Sequence, residues 1–280
     1  MSADYRTAER WMKRERDALQ AYLENERASD FPESSRAGLT NYAAGLANIG
    51  HATVGLEYLA GYEGALGCSQ VLQGDEAGFA LIDRACLYNY WAVRLLACAY
   101  DADSRPEKQA RTDMENVAPC WMHASALGAQ AIRDWLDPRI ELIDKGDESI
   151  GGKDMNPLCT LMAHFVTKRN AGEIKRHGWG SIGPYASVAQ GSLKPDDYEL
   201  LAEYHAKNVG TGGYQPFWRL PYRLYPGELL AIEKLTGVPI TMPRHPLLTS
   251  PLARRREVPT IPVPDDLKAV IKKARSEFTT

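Results

Sequence analysis

One stretch of the sequence, residues 77–100, limits the possible folds more than any other. Six apolar side chains recur there at steps of three and four, and further apolar residues occupy nearly all of the remaining circumference of a helix: the six are Phe79, Ile82, Cys86, Tyr90, Val93 and Ala97. A helix that is apolar on most of its faces lies in the interior of a protein. Residues 77–100 are therefore predicted to form a central helix with the other elements packed around it.

Two more helical regions are predicted before this stretch. Residues 5–28 carry a helical stripe of apolar groups, which Asp30-Phe31-Pro32 stops. Residues 39–72 are rich in Ala, Gly, Leu and Tyr and are predicted to hold two helices that part near residues 50–53. Glycine costs roughly 1 kcal/mol against alanine inside a helix, so the glycines here indicate close approach of neighbouring backbones.

The second half of the chain is predicted to be helical in shorter pieces. The segments are 117–136, a shorter helix opened by Pro138 and reaching residue 145, 157–168, 196–207, 226–236 and 265–278. Seven of the 17 prolines fall between residues 239 and 264. Such a segment forms neither regular helix nor central strand, so it is predicted to be an extended strap on the helices.

These patterns predict an all-α fold. Alternating segments bounded by hairpin turns are scarce, and helix–turn–helix runs favour antiparallel pairs in a bundle or an irregular α-solenoid. The expected organisation is a helical domain over residues 1–238. Residues 239–280, a Pro-rich strap and a basic terminal helix, are expected to pack on the same domain.

Composition argues against several classes of function. A net charge of −3 gives no general attraction to nucleic acid or to an anionic membrane. The longest apolar stretches fall short of the roughly 20 residues that cross a bilayer, and the charged N-terminus lacks the apolar core of a signal peptide. A cytoplasmic protein without nucleic-acid or membrane partners is therefore expected, and the oligomeric state stays open.

The cysteines fit that compartment. Their number is odd and no pair has CxxC spacing: Cys68, Cys86, Cys98, Cys120 and Cys159. This pattern predicts neither a disulfide framework nor a zinc site, and free cysteines in apolar helices usually behave as small buried hydrophobes.

No motif in the sequence specifies a catalytic, cofactor or metal site. Residues 178–183 match GxGxxG, but they lack the strand before and the helix after that dinucleotide binding requires, since Pro184 follows directly. The histidines show neither HxxxH nor HExxH spacing. Ser125, Ser181 or Cys120 could each be nominated as a nucleophile, but nothing in the sequence supports one of them.

One electrostatic pattern is more specific. Carboxylates recur at steps of three and four, with one more beside them: Asp134, Asp137, Glu141, Asp144, Asp147 and Glu148. If the chain stays helical across Pro138, they line one face. A solvated outer face is the plain interpretation, and a docking surface for a basic partner is the sharper one. A divalent cation is a third option, although the EF-hand spacing is absent.

The C-terminal part is basic. Arg254-Arg255-Arg256 and four later basic residues are interpreted as a solubilising tail, with nucleic-acid contact as the minority alternative.

Two stretches resemble a known group of proteins. Residues 227–240, followed by His245-Pro-Leu-Leu and Pro251-Leu, are similar to the closing segment of bacterial immunity proteins, in which a helix ends in Gly before an apolar, proline-containing strap. Leu72-Gln-Gly-Asp75 with residues 77–100 resembles the α-helical immunity proteins of polymorphic toxin systems, first the immunity-49 group and second the DUF1911-type proteins. The resemblance covers about a third of the chain.

The resemblance implies an immunity protein that binds and occludes a cognate secreted toxin and needs no cofactor. The six carboxylates at positions 134–148 are the candidate partner-binding residues. Two alternatives remain: an enzyme with a site between helices, built from His123, His164 and nearby polar groups, and a helical scaffold or adaptor.

Overall fold

The structure is a computed structural model that describes residues 5–103, 117–118, 120–146, 165–166, 187, 191–198, 229–240 and 250–278. The helices in these ranges are α1 (Tyr5–Ala28), α2 (Phe31–Ala43), α3 (Ile49–Leu72), α4 (Gly78–Asp103), α5 (residues 120–127), α6 (Gln130–Gly146), α7 (Leu229–Thr236) and α8 (Asp265–Glu277). None of the described residues lies in a β-strand. The predicted all-α fold is confirmed.

The first three helices are separated by short turns. Asp30, in the left-handed conformation with φ 57°, follows α1, and Pro32 sits in the first turn of α2, where a missing N–H is harmless. Asn48 caps α3 by accepting a hydrogen bond from the His51 N–H at 3.2 Å. The break between α2 and α3 therefore lies at residues 44–48, a few residues before the predicted one, because Asn48 rather than a glycine starts the helix.

The helices α3 and α4 form the interior of the fold. Consecutive residues of α4 are buried over 85–88 and 90–93, as predicted for a central helix. The two helices meet at Gly67 and Gly78, where a Cβ on Gly67 would stand 2.5 Å from the carbonyl oxygen of Gly78. On the other side of α3, a Cβ on Gly55 would lie 3.1 Å from the carbonyl oxygen of Ser35 in α2. Close backbone approach is thus the role of Gly55 and Gly67.

The boundary between α5 and α6 differs from the predicted one. The chain turns at Gly128, which has φ 69°, and α6 then runs without interruption through Pro138 to Gly146. Proline has no N–H and removes one backbone hydrogen bond from a helix, but the helix can continue when its packing stabilises the remaining turns. The prediction that Pro138 starts a new helix is therefore wrong. Two other predicted helices, 157–168 and 196–207, lie mostly outside the described residues, with 165–166 and 195–198 helical.

The C-terminal segment lies on the helices. Residues 250–264 contain one short 3₁₀ turn (Pro251–Ala253) and are otherwise non-helical, and the N–H of Val258 donates to the carbonyl of Leu127 at 2.8 Å. The terminal helix α8 packs against α2 and buries one apolar side: Leu267, Val270, Ile271 and Ala274. This is the side that the sequence predicts.

A buried ion network joins four of the helices. The side chain of Glu63 in α3 is 1% exposed. It accepts hydrogen bonds from Arg36 in α2, at 2.6 Å, and from Arg84 in α4. Arg36 also bonds Asp266 of α8 at 3.1 Å, and the Tyr88 hydroxyl donates to Asp266 at 3.0 Å. The terminal helix is therefore held to the interior by charge as well as by apolar contact.

Candidate functional site

Four of the six predicted partner-binding residues lie in α6. Asp134, Asp137, Glu141 and Asp144 fall within its bounds, whereas Asp147 and Glu148 lie outside the described residues. Because α6 is continuous through Pro138, the four positions follow the three- and four-residue steps that align side chains on a helix. We call these four residues the α6 acidic positions.

Two of the α6 acidic positions have contrasting surroundings. The Asp134 side chain is exposed and accepts a hydrogen bond from the side-chain amide of Gln130, at 2.7 Å. Asp137 is half-buried, and its carboxylate accepts hydrogen bonds from Nε and Nη2 of Arg133 at 2.9 and 2.8 Å. The indole N–H of Trp121 in α5 donates to Asp137 at 2.7 Å. Asp137 therefore joins α5 to α6, whereas Asp134 faces solvent.

Arg133 completes this junction between the two helices. Its guanidinium lies over the Trp121 ring, 4.4 Å from the ring centroid, and donates to the Ser125 hydroxyl at 2.8 Å. The Ser125 hydroxyl in turn donates to the backbone carbonyl of Trp121. Ser125, which the sequence analysis named as one possible nucleophile, is thus buried, and its hydroxyl is hydrogen-bonded to groups that hold α5 and α6 together.

A cluster of aromatic rings and arginines lies between α4 and α6, and the sequence patterns above did not predict it. The Trp135 ring packs edge-on against Tyr90 of α4, with the centroids 5.6 Å apart. The guanidinium carbons of Arg94 and Arg139 lie 5.4 and 4.4 Å from the Trp135 centroid. The available signal was the four-residue spacing of Tyr90 with Arg94 and of Trp135 with Arg139, which places each pair on one helix face.

A second polar cluster lies where α4, α5 and the C-terminal strap meet. His123, 8% exposed, hydrogen-bonds the Cys86 thiol, and the Asp83 carboxylate is close enough to act on its charge. The hydrogen bond with Cys120, and then burial, raise the pKa of the Cys86 thiol well above its usual value. His123 also lines a small cleft together with Phe79, Ile82, Ala126, Leu127, Leu230, Leu252, Arg254 and Arg256.

The three consecutive arginines of the strap each bind a different carboxylate. Arg254 pairs with Glu76 at 2.7 Å, Arg255 with Glu233 of α7 at 2.5 Å, and Arg256 with Asp83 at 2.8 Å. Alternation along an extended segment sends neighbouring side chains in different directions, so three neighbours reach three separate partners. All three arginines therefore pair within the fold, Arg256 in a largely buried place and Arg254 and Arg255 at the surface.

The hydrogen bonds from Arg255 lower the pKa of Glu233. Burial by itself raises the pKa of the Glu233 carboxyl. The hydrogen bonds from Arg255 and from the backbone N–H of Ile240 outweigh burial, so the pKa lies below its usual value. Glu233 is thereby kept charged where the strap crosses α7.

The remaining sequence candidates are spread apart or lie outside the described residues. His51 is exposed and contacts the Asn48 cap, far in sequence from His123. His164, His177, His205, His245, Ser181 and the whole of residues 178–183 lie outside the described residues. The pairing of His123 with His164 that the enzyme alternative requires therefore stays a prediction.

Among the described residues, no group of three or more His, Cys, Asp or Glu side chains is arranged to hold a metal ion. In the same part of the chain, no helix combines the length and the apolar character that crossing a membrane would require.

Comparison with known proteins adds no relative. No protein-family model, no curated protein and no solved structure matches the chain.

Proposed function

We propose that the chain is a binding protein and that a basic partner protein docks on the outer face of α6. The observation that carries the proposal is the unbroken course of α6 through Pro138, which keeps the α6 acidic positions in helical register. Gln130, Ala131, Asp134 and Pro138 are all exposed and form the outer face of this helix. Carboxylates on such a face attract a positively charged surface and speed its approach.

Under this proposal the carboxylates of α6 have different roles. Asp137 is occupied by Arg133 and Trp121, so it holds α5 and α6 together and adds little free charge. Asp134 is exposed and accepts a hydrogen bond from the neutral Gln130 amide, so its charge can meet a partner's lysine or arginine. Reversing Asp134 should therefore alter association, whereas reversing Asp137 should alter the fold.

The partner that we propose is a cognate secreted toxin. The support is the resemblance of residues 72–100 and 227–252 to α-helical immunity proteins. An immunity protein has no reaction to perform: it occludes its toxin by covering the toxin's functional surface. A rigid helical face fits that task, because a surface that is ordered before binding loses little entropy on association.

The surroundings of His123 favour binding over the enzyme alternative. A catalytic cysteine needs a lowered pKa and partial exposure, because the thiolate is the nucleophile. Cys86 is fully buried and its pKa is raised, so the thiol stays protonated at neutral pH. Asp83 is committed to Arg256. His123 therefore has the surroundings of a buried polar side chain with hydrogen-bond partners in the core, and not those of a catalytic base.

The test begins by identifying the partner. The chain is used as bait, bound proteins are identified by mass spectrometry, and the candidate toxin is purified. Association is then measured by stopped-flow at two ionic strengths for the wild type and for D134K/E141K/D144K. We expect an on-rate about tenfold lower in the variant and a weaker salt dependence, because salt screens the steering of separated charges.

A variant with the same change in net charge is the matched control. In D17K/E24K/E33K the reversed carboxylates are exposed on α1 and α2, and Glu24 accepts the Gln20 amide as Asp134 accepts that of Gln130. This control should bind nearly as fast as the wild type. If the on-rate fell equally in both variants, the effect would come from net charge alone and not from the α6 face. Unchanged on-rates in both variants would contradict the docking surface.

A further inference from the structure

The exposed apolar side chains of the described residues are concentrated in one part of the fold. In the described part of the chain, the large apolar side chains with more than a third of their surface in solvent are Phe31, Leu46 and Val54, which are 39%, 79% and 49% exposed. All three lie between the first residue of α2 and the second turn of α3. A single exposed apolar side chain is ordinary on a protein surface, whereas contiguous ones mark interaction sites.

Two of these side chains belong to one continuous surface. The Phe31 ring is stacked on the ring of Tyr58, with 5.1 Å between the centroids and 10° between the ring planes. Val54 lies four residues before Tyr58 in α3, so the two side chains are neighbours on one helix face. Apolar surface therefore extends from α2 across the stacked rings to Val54. We call Phe31, Val54 and Tyr58 the α2–α3 apolar surface.

A half-buried carboxylate borders the α2–α3 apolar surface. Glu57 lies three residues after Val54 and therefore next to it on α3. Among the described residues, none forms a hydrogen bond or an ion pair with the Glu57 carboxylate, and burial alone raises its pKa. Glu63 in the same helix, by contrast, accepts hydrogen bonds from two arginines. Because burial has removed part of the hydration of Glu57 without compensation, its charge gains from a cation that approaches from outside.

The surface around Phe31 is acidic as well. Asp30 and Glu33 are exposed on either side of Phe31 in the sequence, and Arg27 is an exposed base shortly before them. Together with Glu57, the carboxylates outnumber the base. A second copy of the chain on this surface would bring like charges together, whereas a basic partner would be attracted.

We propose that the α2–α3 apolar surface binds a partner segment that carries an apolar side chain next to a lysine or arginine. The apolar side chain covers Val54 and the Phe31 ring, and the cation pairs with Glu57. The stem of a lysine or arginine is itself apolar and packs on aromatic rings while its charged head reaches a carboxylate. This binding goes beyond the docking proposed for α6, because the surface contains none of the α6 acidic positions.

The probe is a fluorescein-labelled peptide of leucine and lysine with helical spacing, about 14 residues or four turns long. A peptide with glutamate in place of lysine is its control, and fluorescence anisotropy measures Kd for both. We expect the wild type to bind the lysine peptide at least about tenfold more tightly than the glutamate peptide. Affinity for the lysine peptide should fall about tenfold in Val54→Lys and in Phe31→Ser, and about threefold in Glu57→Gln.

Two controls make the result specific to this surface. Asp196→Asn removes an exposed carboxylate in another part of the chain, with the same change in charge as Glu57→Gln, and should leave Kd unchanged. Circular dichroism and Tm check that each variant is folded. Val54 is half exposed, so Val54→Lys keeps the fold even if Phe31→Ser does not.

Photocrosslinking locates the bound peptide. Benzoylphenylalanine, which keeps an aromatic ring, is placed at position 31 and, in a second protein, at position 130 on α6. We expect the lysine peptide to crosslink to position 31. Crosslinking from position 130 but not from position 31 would assign the peptide to α6, and it would overturn this proposal while leaving the docking surface on α6 in place.

Three further results would overturn the proposal. The first is equal affinity of the wild type, Val54→Lys and Glu57→Gln for the lysine peptide. The second is equal affinity of the wild type for the two peptides, which would contradict the pairing of a cation with Glu57. The third is a wild-type dimer, seen by light scattering and absent in Val54→Lys, because a second copy would then cover the surface.

Discussion

Glu63 shows how a single residue can determine the arrangement around it. Its carboxylate is 1% exposed and would be costly to bury alone, but Arg36 and Arg84 approach it from two neighbouring helices. Because Arg36 also binds Asp266, one buried negative charge sets the positions of α2, α4 and α8 relative to α3. Removing one partner from a buried ion pair is strongly destabilising, because the other charge stays buried without compensation.

Removing the charge of Glu63 should therefore destabilise the fold. In Glu63→Gln two arginines lose their carboxylate while they remain partly buried, and we expect a loss of about 3 kcal/mol in the free energy of unfolding. Urea denaturation followed by circular dichroism measures it. The control is Asp17→Asn, since the Lys13–Asp17 pair is exposed and should contribute less than about 0.5 kcal/mol. Equal effects of both substitutions would show that Glu63 is not a structural centre.

At the scale of elements, the crossing of α3 and α4 depends on the absence of side chains. Gly67 and Gly78 face each other with their backbones in contact, and Ile82 also lies 2.8 Å from the position of a Cβ on Gly67. Glycine lowers the helix propensity of α3, but it lets the backbones of α3 and α4 approach closely. Packing gained across the whole crossing offsets the local loss.

The two glycines Gly67 and Gly38 should respond to alanine in opposite directions. Gly67→Ala places a methyl group 2.5 Å from the backbone oxygen of Gly78, which cannot move without shifting α4, so we expect a loss of about 2 kcal/mol or more. At Gly38 in α2 the nearest atom would be 3.7 Å away, and alanine should stabilise the helix by about 0.5 kcal/mol. Thermal and urea unfolding of both variants measure the difference. A tolerated Gly67→Ala would mean that the helices are further apart than described.

At the scale of the whole molecule, the strap connects elements that are distant in sequence. Arg254 reaches Glu76 just before α4, Arg256 reaches Asp83 within α4, and Arg255 reaches α7. The backbone of Val258 bonds the end of α5, and the adjoining Glu257 pairs with Lys234 beside Gly128. Residues 250–264, the larger described part of the strap, are therefore part of the fold, and the charged side chains there pair with residues of the same chain.

The strap arginines should differ in their effect on stability according to burial. The Arg256 and Asp83 side chains are 17% and 11% exposed, so Arg256→Gln leaves a buried carboxylate unpaired and should cost about 2 kcal/mol. The Arg254 and Glu76 side chains are 54% and 76% exposed, so Arg254→Gln should cost less than about 0.5 kcal/mol. Differential scanning calorimetry compares the two. A larger loss of stability in Arg254→Gln than in Arg256→Gln would contradict the proposed dependence on burial.

The sequence by itself determined the local properties of this chain. Periodicity identified residues 77–100 as an interior helix and placed the apolar side of α8 correctly, because apolar spacing reflects burial of one face directly. Proline density predicted a non-helical strap, and the described part of that segment agrees. These features depend on residues a few positions apart.

Only the tertiary structure decided the roles of the polar residues. Asp134 and Asp137 look alike in sequence, yet one faces solvent and the other is held by Trp121 from another helix. The triple arginine resembles a solvated tail until its three partners are seen, the most distant of which is Glu76, 178 residues before Arg254. A charge takes its role from the groups that surround it in space, and those groups come from distant parts of the chain. Local spacing carries no information about them.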